Sequence, residues 1–277
     1  MRGEENRLIH FIKSVSALRR DCPKSLDRCC ILNSVEQFFT KDYHGAPFVL
    51  FGPAHLASLA VVLLFNLSFI LVRRSPSQML RQVFRLGMAV WLLVNELSWH
   101  IWNWAIGEWN VQTMLPLQLC NVFVFLSAIM LFTRSRKIYE YAYFLGIGGA
   151  IQPLITPDAG MYGFPHFRFI QPVISHGLII SAVVYLTVVE GFRPTWKSIP
   201  RVVLVGNLYL FFIALVVNPL LGSNYLMTAY KPDVTSLLTL LAPWPWYILE
   251  YEGVGLLIFL ILYLPFAIGD RRKPAPV

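Results

Sequence analysis

Charged residues are scarce in this sequence. Asp, Glu, Lys and Arg make up only 14% of its 277 residues, whereas 56% are hydrophobic and the mean hydropathy is +0.58. So low a charge content excludes an ordinary water-soluble domain. The long apolar runs also lack the two-residue alternation of membrane β-strands, and hydrocarbon does not tolerate unpaired backbone groups. The chain is therefore predicted to be an all-α integral membrane protein.

Seven apolar runs approach the length of about 20 residues that a bilayer requires. They predict about seven transmembrane helices in a single bundle, at residues 48–72, 82–107, 112–133, 138–156, 167–189, 202–222 and 246–268. Lys and Arg fall almost entirely on alternate connections, so the positive-inside rule predicts a multi-pass cell-membrane protein with a cytoplasmic C-terminus. The net charge of +8 needs no nucleic acid partner, because basic residues beside a membrane suit its anionic surface.

Three regions are predicted: a poorly defined N-terminal extension, a transmembrane helical domain and a basic cytoplasmic tail, at residues 1–36, 37–269 and 270–277. The first region has no apolar run long enough for a signal peptide. Its cysteines lack the second paired ligand set of a metal site, so no metal is expected at Cys22, Cys29 and Cys30. Its many basic residues favour the cytoplasmic side, against the predicted topology. One hypothesis is that the natural chain begins near Leu32 or Val35.

Polar residues inside the spans predict a shared cavity, because ionisable groups in lipid are costly and usually face the bundle interior. At 1.5 Å per residue, six helices place polar side chains within roughly 6 to 14 Å of the same outer boundary. The predicted substrate cavity comprises His55, Glu96, His100, Gln152, His166, Arg168 and Asn224.

Several of these residues also fit roles that need no substrate. Glu96 and His100 lie four residues apart, so they fit a neutralising pair as well as a proton-handling pair. His55 fits a hydrogen-bonded packing role. Arg168 either binds an anionic head group or anchors its helix at the interface.

Cys120 is the one cysteine within residues 37–269, and it is predicted to lie at the same depth as His176. A thiol beside an imidazole that accepts its proton becomes a nucleophile toward an ester, whereas an isolated buried thiol is inert. These two residues are the candidate catalytic pair. Each follows a proline by four positions, Pro116 and Pro172, and each proline is expected to bend its helix. Candidate amide donors to an oxyanion are Gln118, Asn121 and Asn218.

Five strings of the sequence carry a family resemblance: Leu-Pro-Leu-Gln-Leu-Cys-Asn at 115–121, Phe-Pro-His-Phe-Arg-Phe at 164–169, Ser-His-Gly at 175–177, Gly-Ser-Asn-Tyr at 222–225 and Pro-Trp-Pro-Trp-Tyr at 243–247. Over about residues 36–268 the chain resembles the YwaF-like family of bacterial integral membrane proteins. That family is similar to an animal transmembrane acyltransferase that remodels ether phospholipids through an acylated cysteine, and more distantly to the androgen-induced membrane hydrolases. The resemblance implies that Cys120 is the nucleophile, that His176 is its partner, and that acyl transfer is favoured over hydrolysis.

The predicted function is lipid acyl transfer through a Cys120 thioester, with His176 as the base, a membrane phospholipid or lysolipid as substrate, and no cofactor. The alternative is a transporter or binding protein for a small anionic or lipidic solute, in which Glu96 and His100 relay protons. No internal duplication supports a transporter repeat. A third possibility is a structural membrane partner. The oligomeric state is left open by the sequence.

Overall fold

The computed structural model describes residues 35–231 and 241–271, whose regular secondary structure is helical, without strands. The predictions for Cys22, Cys29, Cys30 and the end of the basic tail lie outside them. In the described ranges the main helices are α1 (Pro53–Arg74), α2 (Gln78–Ala105), α3 (Leu119–Thr133), α4 (Arg136–Tyr141, Ala142–Gly146 and Ile147–Ile155 in succession), α5 (Phe167–Val188), α6 (Ser198–Leu221) and α7 (Tyr247–Arg271). The prediction of an all-α protein is confirmed for this part of the chain.

Among the described residues, four helices are long and apolar enough to cross a membrane, namely α1, α5, α6 and α7. Helix α3 is apolar but has only 15 residues. Each predicted span overlaps one of the helices α1 to α7, and the four long helices support a membrane protein. Membrane crossing by α2, α3 and α4 stays a prediction, as does the cytoplasmic C-terminus.

Helix α3 begins later than the sequence predicted, at Leu119 instead of about residue 112. Pro116 lacks a backbone N–H and has a restricted φ angle, and the chain around it forms turns. Gln118 is the N-cap residue, with an extended backbone at φ −66° and ψ 147°. The predicted bend of this helix at Pro116 is therefore wrong, because the proline precedes the helix. Pro172, in contrast, lies inside α5.

The core lies where α2, α3, α4 and α5 pack together, and it includes the buried side chains of Leu92, Phe123 and Tyr185. Two glycines let α4 approach α3 closely. A Cβ atom at Gly146 would lie 3.2 Å from the Phe123 ring, and one at Gly149 would lie 3.1 Å from Leu119 Cδ2. Small residues at helix contacts permit such approach in membrane proteins. The start of α3 is thereby seated against α4.

Candidate functional site

Cys120 is the second residue of α3, and its half-buried side chain packs against the core. The first three N–H groups of a helix have no partner within it, and Gln118 supplies no side-chain cap here. In the described part of the chain, the backbone N–H groups of Leu119, Cys120 and Asn121 donate to no backbone carbonyl. These free N–H groups form the positive end of the α3 helix dipole, and such an end stabilises a negative charge beside it. The late start of α3 thus places the thiol in the first turn of a helix, beside N–H groups that have no backbone partner.

A chain of hydrogen bonds connects Cys120 to α2. The thiol donates to Asn121 Oδ1, with Sγ and Oδ1 3.4 Å apart, and Asn121 Nδ2 donates to Glu96 Oε1 at 2.8 Å. His100 Nε2 lies 3.5 Å from the same Glu96 oxygen, and Trp109 Nε1 donates to His100 Nδ1 at 3.2 Å. Glu96 is only 3% exposed. Residues that the sequence assigned to separate roles therefore form one connected group.

The His176 ring has a defined proton position. Its Nδ1 lies 2.7 Å from the Pro172 carbonyl oxygen, and since a carbonyl only accepts, Nδ1 carries the hydrogen. A neutral ring then has an unprotonated Nε2, and this atom makes no hydrogen bond within residues 35–231 and 241–271. No hydrogen bond joins it to Cys120 there, so the contact between the two candidate residues stays a prediction.

His55 has both ring nitrogens occupied by backbone groups. Phe51 N donates to Nδ1 at 3.0 Å, and Nε2 donates to the Leu154 carbonyl at 2.9 Å. The ring therefore joins the start of α1 to the end of α4. It offers no free nitrogen to a substrate.

His166 is the N-cap residue of α5, and its ring nitrogens are also both used. Nδ1 accepts from Arg168 N at 3.0 Å, and Nε2 donates to the Thr40 carbonyl at 2.9 Å. Burial lowers the pKa of His166, which favours this neutral form. The Arg168 guanidinium lies over the Tyr162 ring, 5.2 Å from its centre. This arrangement suits anchoring of the α5 start.

Asn218 was predicted to bind an oxyanion, but its donors hold a loop. Nδ2 donates to Tyr225 O and Thr228 Oγ1 at 2.9 and 2.8 Å, and Oδ1 accepts from Ser223 Oγ and Tyr225 N at 2.8 and 2.9 Å. The side chain is buried. Asn218 thus has a structural role in folding the chain from Gly222 to Thr228 over the end of α6.

The remaining predicted amides bond locally. Asn224 Nδ2 donates to the Tyr230 carbonyl at 2.8 Å, and Gln152 Nε2 donates to Thr156 Oγ1 at 2.9 Å. Gln118 is different, because Leu226 N donates to its Oε1 at 3.0 Å while its Nε2 makes no hydrogen bond in the described structure. Gln118 is thus the predicted amide donor whose N–H groups make no hydrogen bond among the described residues.

Tyr225 holds the segment before α3, a role that the sequence analysis missed. Its hydroxyl accepts from Leu115 N at 2.8 Å and donates to the Val111 carbonyl at 2.7 Å. The Tyr225 side chain is fully buried. In the sequence, Tyr225 stood out only as part of the Gly-Ser-Asn-Tyr string at 222–225, and that string did not indicate what the tyrosine contacts. Tyr225 links the loop after α6 to the chain that leads into Cys120.

A cavity of about 750 Å³ lies between α1, α2 and α5, and its lining is almost wholly apolar. Val61, Gly87, Trp91, Val173 and Gly177 are among its lining residues. None of the residues predicted for a polar substrate cavity lines it. Across the described ranges, no group of three or more His, Cys, Asp or Glu side chains is placed to hold a metal ion.

Fold and site together define an all-helical membrane protein with a half-buried thiol at a helix N-terminus, hydrogen-bonded to a buried amide–carboxylate pair. A family model named TMEM164 matches residues 50–263, and the chain belongs to this family. It is 26% identical over 221 residues to an uncharacterized protein of Treponema pallidum (strain Nichols). The aligned region covers 79% of this chain and 90% of that protein. No solved structure matches. Membership suggests a membrane lipid acyltransferase-like role at the level of the family. The YwaF-like assignment and the relation to hydrolases stay predictions.

Proposed function

We propose that this protein is a membrane lipid acyltransferase that forms a thioester on Cys120, with His176 as the general base. The observation that carries the proposal is the position of Cys120 in the first turn of α3, beside N–H groups that no backbone carbonyl accepts. Such helix N-termini are where reactive cysteines occur, because they favour the thiolate. The TMEM164 family assignment supports the same chemistry.

The first half-reaction transfers an acyl group to sulfur. His176 Nε2, the nitrogen without a proton, takes the thiol proton, and Sγ attacks the ester carbonyl carbon of a phospholipid. The carbonyl oxygen becomes an oxyanion, for which the α3 N–H groups and Gln118 Nε2 are candidate donors. When the ester C–O bond breaks, the leaving alkoxide takes the proton from His176, and a lysophospholipid departs.

The second half-reaction returns the thiol. A lysolipid hydroxyl gives its proton to His176, its oxygen attacks the thioester carbonyl, and the C–S bond breaks. Sulfur then recovers the proton, so the cycle consumes no cofactor and follows ping-pong kinetics. The apolar cavity between α1, α2 and α5 has the lining that a hydrocarbon chain prefers.

The proposal is tested with protein in which Cys22, Cys29 and Cys30 are changed to serine, reconstituted with phospholipid carrying a labelled acyl chain. We expect a hydroxylamine-sensitive acyl adduct on Cys120 that Cys120→Ala and His176→Ala abolish. Ser127→Ala is the matched control, because this buried residue lies on the same helix and its hydroxyl has no hydrogen bond in the described structure. The control should form the adduct normally.

Two results would contradict the proposal. Acyl transfer that persists in Cys120→Ala would exclude the thioester. Proton-coupled solute uptake that is lost in Glu96→Gln but intact in Cys120→Ala would instead support the transporter alternative.

A further inference from the structure

We infer that Glu96 is a positioning residue that keeps the Cys120 thiol protonated at rest by fixing the orientation of the Asn121 amide. The inference deepens the proposed function and rests on it for the catalytic consequence. The resting state of the thiol can nevertheless be measured without substrate or turnover.

The direction of each hydrogen bond follows from its donors. Glu96 Oε1 accepts from Asn121 Nδ2 at 2.8 Å, so the Asn121 amide turns its nitrogen toward the Glu96 carboxyl group. Asn121 Oδ1 then faces Cys120 Sγ at 3.4 Å, and only a protonated thiol can donate to it. Glu96 thus determines which end of the amide meets the sulfur.

The other side of Glu96 supports its role as an acceptor. Trp109 Nε1 donates to His100 Nδ1, so a neutral His100 ring carries its hydrogen on Nε2, and this nitrogen lies 3.5 Å from Glu96 Oε1. The Asn121 donor and the His100 N–H group therefore lie beside one oxygen of a side chain that is 3% exposed. Buried carboxylates require such donors, because an unpaired buried charge is costly.

The amide oxygen and the helix terminus act on the thiol in opposite directions. The α3 N-terminus favours a thiolate, whereas an amide oxygen facing sulfur repels negative charge and favours S–H. We expect the Glu96–Asn121 pair to restrain the nucleophile until the amide turns and presents Nδ2 to the sulfur. This restraint would limit reaction of the thiol with molecules other than the lipid substrate.

The test weakens the orientation constraint but keeps the side-chain size, because a glutamine can donate to Asn121 as well as accept from it. In Glu96→Gln, the new amide can donate to Asn121 Oδ1, which allows Asn121 Nδ2 to face Cys120. We expect alkylation of Cys120 by a membrane-permeant maleimide to accelerate roughly tenfold, because the thiolate is the reacting form. The infrared S–H stretching band of Cys120 should shift at the same time, as its amide acceptor is lost. Both measurements use protein in which the other three cysteines are serine.

Glu252→Gln is the matched control. Asn207 Nδ2 donates to Glu252 Oε2 at 2.9 Å, so this change alters the same kind of amide–carboxylate pair between α6 and α7. Neither residue is hydrogen-bonded to Cys120 or Asn121. The alkylation rate and the S–H band should stay at their unsubstituted values in the control.

Unchanged alkylation together with an unchanged S–H band in Glu96→Gln would overturn the inference. If that variant does not fold, the S–H band is measured in Asn121→Ala instead. This change removes Asn121 Oδ1, the acceptor of the thiol, so it must also shift the band. An unshifted band in folded Asn121→Ala would equally overturn the inference. If the alkylation rate and the S–H band change as expected but the unsubstituted protein forms no acyl adduct, the proposed function is refuted and this inference stands.

Discussion

Replacing Asn218 by alanine should destabilise the protein and disturb the segment that leads to Cys120. The Asn218 side chain makes four hydrogen bonds to the loop after α6, two of them to the backbone of Tyr225. Tyr225 in turn holds Leu115 N and Val111 O through its hydroxyl. Loss of the asparagine therefore affects both the loop and the entry to α3.

The magnitude follows from which buried groups lose a partner. Without Asn218, Tyr225 N–H has no acceptor, whereas the Tyr225 carbonyl keeps a 3.4 Å contact with Thr228 Oγ1. An unpaired buried N–H costs about 1 to 3 kcal/mol, and each further hydrogen bond adds about 1 kcal/mol. The two bonds lost with the Ser223 and Thr228 hydroxyls add about 2 kcal/mol, so we expect the free energy of unfolding to fall by about 3 to 5 kcal/mol. At about 2 to 4 °C per kcal/mol, the apparent Tm in detergent should fall by roughly 10 °C.

Asn224→Ala is the comparison in the same loop. Asn224 also bonds backbone groups, through Ala229 N, Tyr230 N and Tyr230 O, but these contacts lie at the exposed surface. Water replaces such contacts, so the change in Tm should be much smaller. Apparent Tm values are measured by thermal unfolding at one heating rate. Equal losses of Tm in the two variants would refute the reasoning from buried partners.

Three other predictions address packing, pH dependence and topology. A Cβ at Gly177 would lie 2.9 Å from Val62 Cγ2, whereas one at Gly87 would meet nothing within 4 Å. Because overpacking destabilises, Gly177→Ala should lower the Tm and Gly87→Ala should not. The lowered pKa of His166 means that its stabilising contribution is full above the ordinary histidine pKa of about 6.5 and is lost as pH falls through the lower folded value. His166→Asn, which retains a capping acceptor, should flatten that acid limb of Tm against pH; an unchanged limb would contradict this. A green fluorescent reporter at the C-terminus should fluoresce, as the positive-inside rule predicts, and active alkaline phosphatase fused there would reverse the topology.

The helices were predictable because hydrophobic length is a strong signal. The predicted start of the fifth span, residue 167, is the observed start of α5 at Phe167. The start of α3 was not predictable in the same way, since residues 112–118 are apolar enough to extend the run. Their local turns depend on Pro116 and on partners far along the chain, such as Tyr225. Hydropathy alone contains no information on such partners.

The site was only partly predictable for a related reason. Depth counting placed Cys120, His100 and Asn121 at one level and Glu96 slightly deeper, and in the structure hydrogen bonds join Cys120 to Glu96 through Asn121, with His100 Nε2 3.5 Å from Glu96. Depth does not specify which way a side chain faces, however. The same reasoning therefore assigned His55 to the cavity, although its ring is fully occupied by backbone groups.

The late start of α3 has a structural requirement that connects the loop to the chemistry. Cys120 lies at a helix N-terminus only because the segment before it is not helical. Non-helical backbone at membrane depth needs hydrogen-bond partners from the surrounding protein. Tyr225 supplies partners to Leu115 and Val111, and Tyr209 donates to the Leu117 carbonyl at 2.8 Å. The chain after α6 and the α6 helix itself therefore satisfy the backbone that a longer α3 would have satisfied internally. Their side chains stabilise the conformation that brings free N–H groups to the thiol.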